Sequence, residues 1–89
     1  MAEVLISKPL SRYTGNKRKL QLKGHTVLEL LRELADECPD LKDKVIKGSG
    51  LSKLVIVYVN GKDIRLLNDE DTVVDDKCEI RLLEALAGG

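Results

Sequence analysis

The chain is nearly devoid of aromatic side chains: it has no Trp and no Phe, and Tyr13 and Tyr58 make up its 2% aromatic content. This scarcity argues against a stacking platform for single-stranded nucleic acid. No run approaches the roughly twenty apolar residues of a membrane helix, and the N-terminus is too short and too early acidic for a signal peptide. We therefore expect a cytoplasmic protein with no nucleic-acid or membrane partner.

Cysteine is also scarce, and the positions of the two cysteines indicate no metal site. Cys38 and Cys78 are the only two, and neither has neighbours at metal-ligand spacing. Two cysteines suit a reducing compartment, and each lies on an apolar pattern that predicts a small core residue. The one histidine, His25, precedes a helix cap and is predicted to be a turn residue. Asp75 and Asp76 are adjacent in a turn, so we expect solvated carboxylates and no metal site.

The chain has no excess of either charge, because fifteen basic residues balance fifteen acidic ones. The first quarter is basic and the later part is acidic, which favours solvated or partner-facing surfaces over nucleic-acid binding. With 89 residues, 43% of them apolar, the chain can form one domain with a modest core. It is too short for an internal pocket with a bound cofactor, so we expect no cofactor.

Hydrophobic periodicity predicts one main helix between two groups of strands. Alternating or β-branched runs predict strands at 3–7, 17–23, 54–59 and 78–83, with a short strand around 63–66. Apolar residues at helical spacing predict a helix over about 27–38, with Thr26 and Glu29 as a capping box and Pro39 as its end. A helical turn around 40–46, a loop at 47–50 and an Asn60-Gly61 hairpin complete the prediction. This order predicts an α+β two-layer domain whose mixed sheet of four or five strands packs on the helix.

The terminal Gly88-Gly89 predicts a functional end. Backbone without side chains can thread a narrow channel and present a bare carboxylate. The competing interpretation is a frayed terminus. We expect a globular domain over 1–83 and a flexible tail over 84–89, in which Gly88, Ala87 and Leu86 guide insertion into a partner's active site. The tail can extend about 20 Å.

The chain resembles the ubiquitin-like (β-grasp) sulfur carriers, which include the small subunit of molybdopterin synthase and the carriers of thiazole and cysteine synthesis. The residues that carry the resemblance lie in segments 12–17, 26–31, 57–65, 67–72 and 87–89. The resemblance implies that an activating enzyme uses ATP to adenylate the Gly89 carboxylate, and that a sulfur donor converts it to a thiocarboxylate. The thiocarboxylate then supplies sulfur to an acceptor in a partner synthase, such as the large subunit of molybdopterin synthase or a cysteine-synthesis enzyme. The carrier would be a co-substrate and not an enzyme, although a molybdopterin-type carrier would form the small subunit of a synthase.

Two further functions fit the same sequence. The chain could be a protein modifier joined through Gly89 to lysines, or a noncovalent ubiquitin-like binding module for which the tail is irrelevant. Strand 54–59 is apolar on both faces, so one face should be covered by loops, by segment 64–67 or by a partner. We hypothesise that the outer face of this strand and Leu83 form a partner-docking patch.

Overall fold

A five-stranded mixed sheet packed on one amphipathic helix forms the body of the protein. The computed structural model describes residues 1–85. The strands of the sheet are β1 (Ala2–Ile6), β2 (Lys19–Leu22), β5 (Val55–Val59), β6 (Lys62–Asp63) and β7 (Glu79–Glu84). They lie side by side in the order β2-β1-β7-β5-β6. The main helix is α2 (Val27–Glu37), and a 3₁₀ helix (Pro39–Leu41) and the short helix α3 (Lys42–Val45) follow it. These elements confirm the predicted α+β class and strand order.

The sheet combines local antiparallel pairs with one long-range parallel pair. β1 pairs antiparallel with β2, and β5 pairs antiparallel with both β6 and β7. β1 and β7 lie side by side in parallel, with Val4 opposite Ile80. A parallel neighbour requires a crossover, and the long segment that contains α2 supplies it. The mixed sheet predicted from the chain order is therefore confirmed.

Helix α2 begins at the predicted residue and ends one residue before the predicted end. The Thr26 hydroxyl accepts a hydrogen bond from the Glu29 N–H at 3.2 Å, which satisfies a free donor of the first turn. The Glu29 carboxylate reaches back one residue further than in the usual capping box, to the His25 N–H at 2.8 Å. The helix ends at Glu37, because Pro39 cannot continue its hydrogen-bond ladder.

The core lies between α2 and the inner face of the sheet. The inward positions of β1 alternate with half-buried ones and those of β7 with mostly exposed ones, as period-two patterning requires. The side chains with no exposed surface at this interface include Val4, Val27, Leu30, Leu31, Leu34, Ile80 and Leu82. Cys38 and Cys78, predicted to be core residues, are only half-buried and pack against this core from outside.

Several local elements differ from the prediction. Helix α1 (Lys8–Ser11) forms in a segment where the sequence predicts no element, and Pro9 lies in its first turn, where proline is tolerated. The predicted loop at 47–50 contains a small hairpin of β3 (Ile46–Lys47) and β4 (Gly50–Leu51).

The strand predicted around 63–66 is wrong over most of its length. β6 ends at Asp63, and Ile64–Leu66 is a 3₁₀ helix. The Asp63 carboxylate accepts a hydrogen bond from the Arg65 N–H at 2.9 Å, and this local bond turns the chain away from the strand. A further 3₁₀ helix, Asp69–Asp71, follows.

Candidate functional site

The predicted site lies where β7 leads into the C-terminal segment. Gly89, Gly88, Ala87 and Leu86, the predicted carrier and insertion residues, lie outside the described residues. The described part of this region ends with Glu84, the last residue of β7, and Ala85. The predicted domain boundary between 83 and 84 stays a prediction.

A backbone hydrogen bond and an ion pair attach the end of β7 to the rest of the domain. The Ala85 N–H donates a hydrogen bond to the Leu54 carbonyl at 2.8 Å, so pairing with the β5 side continues past the end of the strand. Arg12 Nη2 lies 3.6 Å from Glu84 Oε2. That oxygen is buried without a hydrogen bond, so the nearby guanidinium is its main electrostatic compensation. The Arg12 guanidinium also lies 4.9 Å from the centroid of the Tyr13 ring.

The outer face of the sheet presents apolar side chains next to this region. Leu83 is 37% exposed, and the register places it directly opposite Ile56. One step along, Tyr58 lies opposite Arg81. Ile56 and Tyr58 are half-buried, whereas the alternate residues Val57 and Val59 are buried in the core. The structure therefore places Leu83 on the outer face, as predicted. It also shows that Ile56 and Tyr58 are its neighbours on this face, which only the register between β5 and β7 determines.

Segment 64–67 does not bury the exposed side chain of Leu83. Ile64 belongs to the core, while Leu66 and Leu67 are 79% and 41% exposed. Ile64 thus extends the core, whereas Leu66 and Leu67 stay exposed. Among the described residues, Leu83 therefore keeps part of its side chain exposed on the outer face.

The remaining sequence candidates have structural roles. Burial and the neighbouring Glu37 carboxylate raise the pKa of the Cys38 thiol, so this residue is a poor nucleophile at neutral pH. His25 is exposed and its backbone N–H joins the helix cap, which fits the predicted turn residue. Asp75 accepts a hydrogen bond from the Lys77 N–H at 2.9 Å, and this backbone donor lowers the pKa of its carboxyl.

Two further observations describe residues 1–85. Nowhere in this range do three or more His, Cys, Asp or Glu side chains come together as metal ligands would. No helix within it has the length and apolar character needed to cross a membrane.

Comparison with known proteins gives one consistent family. The ThiS family matches residues 4–89. The sulfur carrier protein CysO of Mycobacterium tuberculosis is 28% identical over 83 residues, which cover 90% of this chain and 89% of that protein.

Solved structures with the same fold include members of two named groups. A chain of the Amycolatopsis orientalis BexX/CysO complex superposes with a TM-score of 0.86 at 30% identity, and covers 100% of both chains. The small archaeal modifier protein 1 (SAMP1) of Methanosarcina acetivorans also gives 0.86, at 29% identity over 99% of this chain and 95% of that chain. Since the family match spans almost the whole sequence, the chain belongs to the ThiS family of ubiquitin-like β-grasp proteins and is a sulfur carrier, not an enzyme.

Proposed function

We propose that the terminal carboxylate of Gly89 is the atom group that carries sulfur. An ATP-dependent activating enzyme joins this carboxylate to AMP and releases pyrophosphate. A sulfur donor then displaces AMP, and the C-terminus becomes a thiocarboxylate. The observation that carries the proposal is the ThiS family match, which runs through Gly89. ATP and the catalytic groups belong to the partner enzymes, so the carrier needs no cofactor of its own.

The proposed acceptor is an enzyme of cysteine synthesis, and molybdopterin synthase is the alternative. The relatives named CysO favour the first pathway. The solved complex of CysO with BexX supports the idea that a carrier of this fold delivers its C-terminus while bound to another protein.

The partner would dock on the outer face of the sheet beside the C-terminal segment. Leu83 and Ile56 form a cross-strand apolar pair there, and Arg81 lies opposite Tyr58. Tyrosine and arginine are among the residue types enriched at the centres of protein interfaces, and the apolar pair adds surface that a partner can remove from water. We propose this face, called the docking face below, as the surface that holds a synthase while residues 86–89 enter its active site.

Intact-protein mass spectrometry tests the sulfur chemistry directly. The protein is incubated with ATP, a sulfur donor and an activating enzyme that is active on another ThiS-family carrier. We expect a mass gain equal to exchange of one oxygen for one sulfur, assigned to Gly89 by fragmentation. A variant that lacks Gly88 and Gly89 should show no gain. No gain in the intact chain, with an active enzyme, would contradict the proposal.

A second candidate function is conjugation to proteins. The similarity to SAMP1, which is named a modifier, favours this function. SAMP1 and the chain of the CysO complex have nearly the same sequence identity to this chain and the same TM-score. Conjugation also needs an activated Gly89, but ends in an amide bond to a lysine. Higher-mass species in host lysate that disappear in the variant without Gly88 and Gly89 would support this function. If only the thiocarboxylate forms, delivery of sulfur remains the sole role.

A further inference from the structure

The last residue of β7 carries a carboxylate that is largely removed from water. Glu84 keeps 24% of its side-chain surface exposed, yet its Oε2 atom is buried and accepts no hydrogen bond within residues 1–85. A buried charged oxygen destabilises a fold unless a nearby opposite charge compensates it. The Arg12 guanidinium, 3.6 Å away, is the ion-pair partner of this oxygen. The Glu84 carboxylate therefore depends on Arg12 to stay in its buried position.

Arg12 is itself supported by its neighbour in the chain. Its guanidinium lies 4.9 Å from the centroid of the Tyr13 ring, which is within the range of a cation–π contact. Tyr13 packs against the hydrophobic core, and Lys44 Nζ lies 5.5 Å from the same centroid. An arginine that rests on a packed ring has less conformational freedom to lose when it forms an ion pair. The contact with Tyr13 thus favours the pair, although Arg12 is 63% exposed.

The ion pair lies where the chain leaves the sheet. On one side of β7, pairing with β5 continues to Glu84, which lies opposite Val55. On the other side, the pairing of β1 with β7 ends at Leu82, two residues earlier. Beyond Leu82, the ion pair joins the end of β7 to the residue that follows α1. Arg12 therefore supplies a contact to the strand end that β1 does not reach.

We propose that Arg12 is a positioning residue for the reactions of the C-terminus. Through its charge on Glu84, it keeps the last residues of β7 on the sheet, so that the C-terminal segment starts from a fixed point at Ala85. Without this charge, the Glu84 carboxylate would turn toward water and the strand end would separate. This role rests on the proposed function, since a fixed starting point matters only when a partner enzyme acts on Gly89.

The size of the effect follows from the length of chain that a partner must order. Separation of the strand end would lengthen the tether to the body from residues 86–89 to residues 84–89. The effective concentration of a tethered group falls roughly as the −3/2 power of tether length, which lowers it about twofold here. Part of the entropy cost of ordering two further residues is added. We therefore expect Arg12→Gln to lower kcat/KM of the activating enzyme for the carrier about threefold to tenfold.

Amide hydrogen exchange of the full chain tests the positioning without any enzyme. Arg12→Gln should speed exchange of the Ala85 amide about tenfold, while Ile80 in the middle of the same strand keeps its rate. Arg12→Lys keeps the charge and should retain most of the protection. Lys8→Gln removes an exposed charge four positions earlier and should leave both rates unchanged. Equal acceleration at Ala85 and Ile80 would show a general loss of stability and would overturn the inference.

Pyrophosphate release by an activating enzyme of ThiS-family carriers measures the consequence for the reaction. Arg12→Gln should show the reduced kcat/KM, Arg12→Lys should restore most of it, and Lys8→Gln should match the unchanged chain. In a Glu84→Gln background no buried charge needs compensation, so the further change Arg12→Gln should cost little more. Direct contact of Arg12 with the enzyme would instead give additive losses, and that result would overturn the inference.

The two measurements distinguish failure of this inference from failure of the proposed function. If the unchanged chain releases no pyrophosphate with an enzyme that is active on another carrier, the proposed function fails, and exchange at Ala85 alone decides whether Arg12 holds the strand end. If the unchanged chain reacts, and Arg12→Gln keeps both its kcat/KM and its protection at Ala85, the positioning role is overturned.

Discussion

At the scale of single residues, close contact with the start of α2 fixes the identity of Gly24. A Cβ atom at this position would lie 2.7 Å from the Leu30 backbone nitrogen and 2.9 Å from the Glu29 carbonyl carbon. The Glu33 carboxylate reinforces the approach by accepting hydrogen bonds from the N–H groups of Lys23 and Gly24, the shortest at 2.8 Å. The segment before the helix is thus held against it at backbone distance.

We expect Gly24→Ala to lower the free energy of unfolding by about 1–3 kcal/mol, because the new methyl group meets backbone that cannot move aside. Gly50→Ala is the control. Its Cβ would lie 2.8 Å from Glu70 Oε2, the end of a flexible side chain, so the cost should be smaller. Urea unfolding of both variants measures the difference. Equal losses would show that the backbone contact at Gly24 has no special cost.

Cys38 gives a pH-dependent prediction at the same scale. Burial and the Glu37 carboxylate raise the pKa of this thiol, so it stays protonated to higher pH than a free thiol. Its alkylation by iodoacetamide, followed by peptide-resolved mass spectrometry, should therefore reach half-maximal rate above the value of about 8.5 typical of free cysteine. Glutathione in the same reaction is the reference. A midpoint at or below that of glutathione would contradict the prediction.

At the scale of elements, the N-terminal cap determines where α2 begins. Thr26→Ala should reduce the free energy of unfolding by about 1 kcal/mol, because the Glu29 N–H loses its acceptor. Thr26→Ser keeps the hydroxyl and should retain most of the stability. Urea denaturation should show a shifted midpoint with an unchanged slope. If serine were as harmful as alanine, the hydroxyl would not be the stabilising group.

The elements predicted correctly are those whose signal is local. The apolar spacing of α2, the run in β5 and the alternation in β7 each express burial of one face within a short window. The hairpin of β3 and β4 was missed because tertiary contact helps to form it: the Leu51 N–H donates to the Glu70 carboxylate 19 residues away. A prediction from short sequence windows does not include this hydrogen bond, because its two residues are too far apart in the chain.

The same limit applies to the candidate site. Alternation along β7 was sufficient to place Leu83 on the outer face. Its neighbour Ile56 depends on strand register, which a single sequence does not specify. The Arg12–Glu84 contact joins residues 72 positions apart and has no sequence signal of its own.

At the scale of the whole molecule, the docking face should control partner affinity separately from folding. Leu83→Glu places a charge where an interface would exclude water, and should weaken binding to the acceptor synthase at least tenfold, about 1.4 kcal/mol. Leu66→Glu adds the same charge at a 79% exposed residue on a 3₁₀ helix, and should leave affinity unchanged. Calorimetric titration compares the two. Unchanged affinity in the Leu83 variant would exclude this face.

The limit of the folded body can be determined by truncation. Removal of residues 86–89 deletes none of the described contacts, so the free energy of unfolding should change by less than about 0.5 kcal/mol. Removal of 84–89 also deletes the Ala85–Leu54 hydrogen bond and the pairing of Glu84 with Val55, and should cost about 1–2 kcal/mol. Both truncations abolish sulfur transfer if Gly89 is the carrier. The shorter deletion should therefore remove function without loss of stability, whereas the longer one should remove both. Equal stability of the two forms would place the boundary at Leu83, as predicted from the sequence, whereas a loss confined to the longer deletion would extend the body to Ala85.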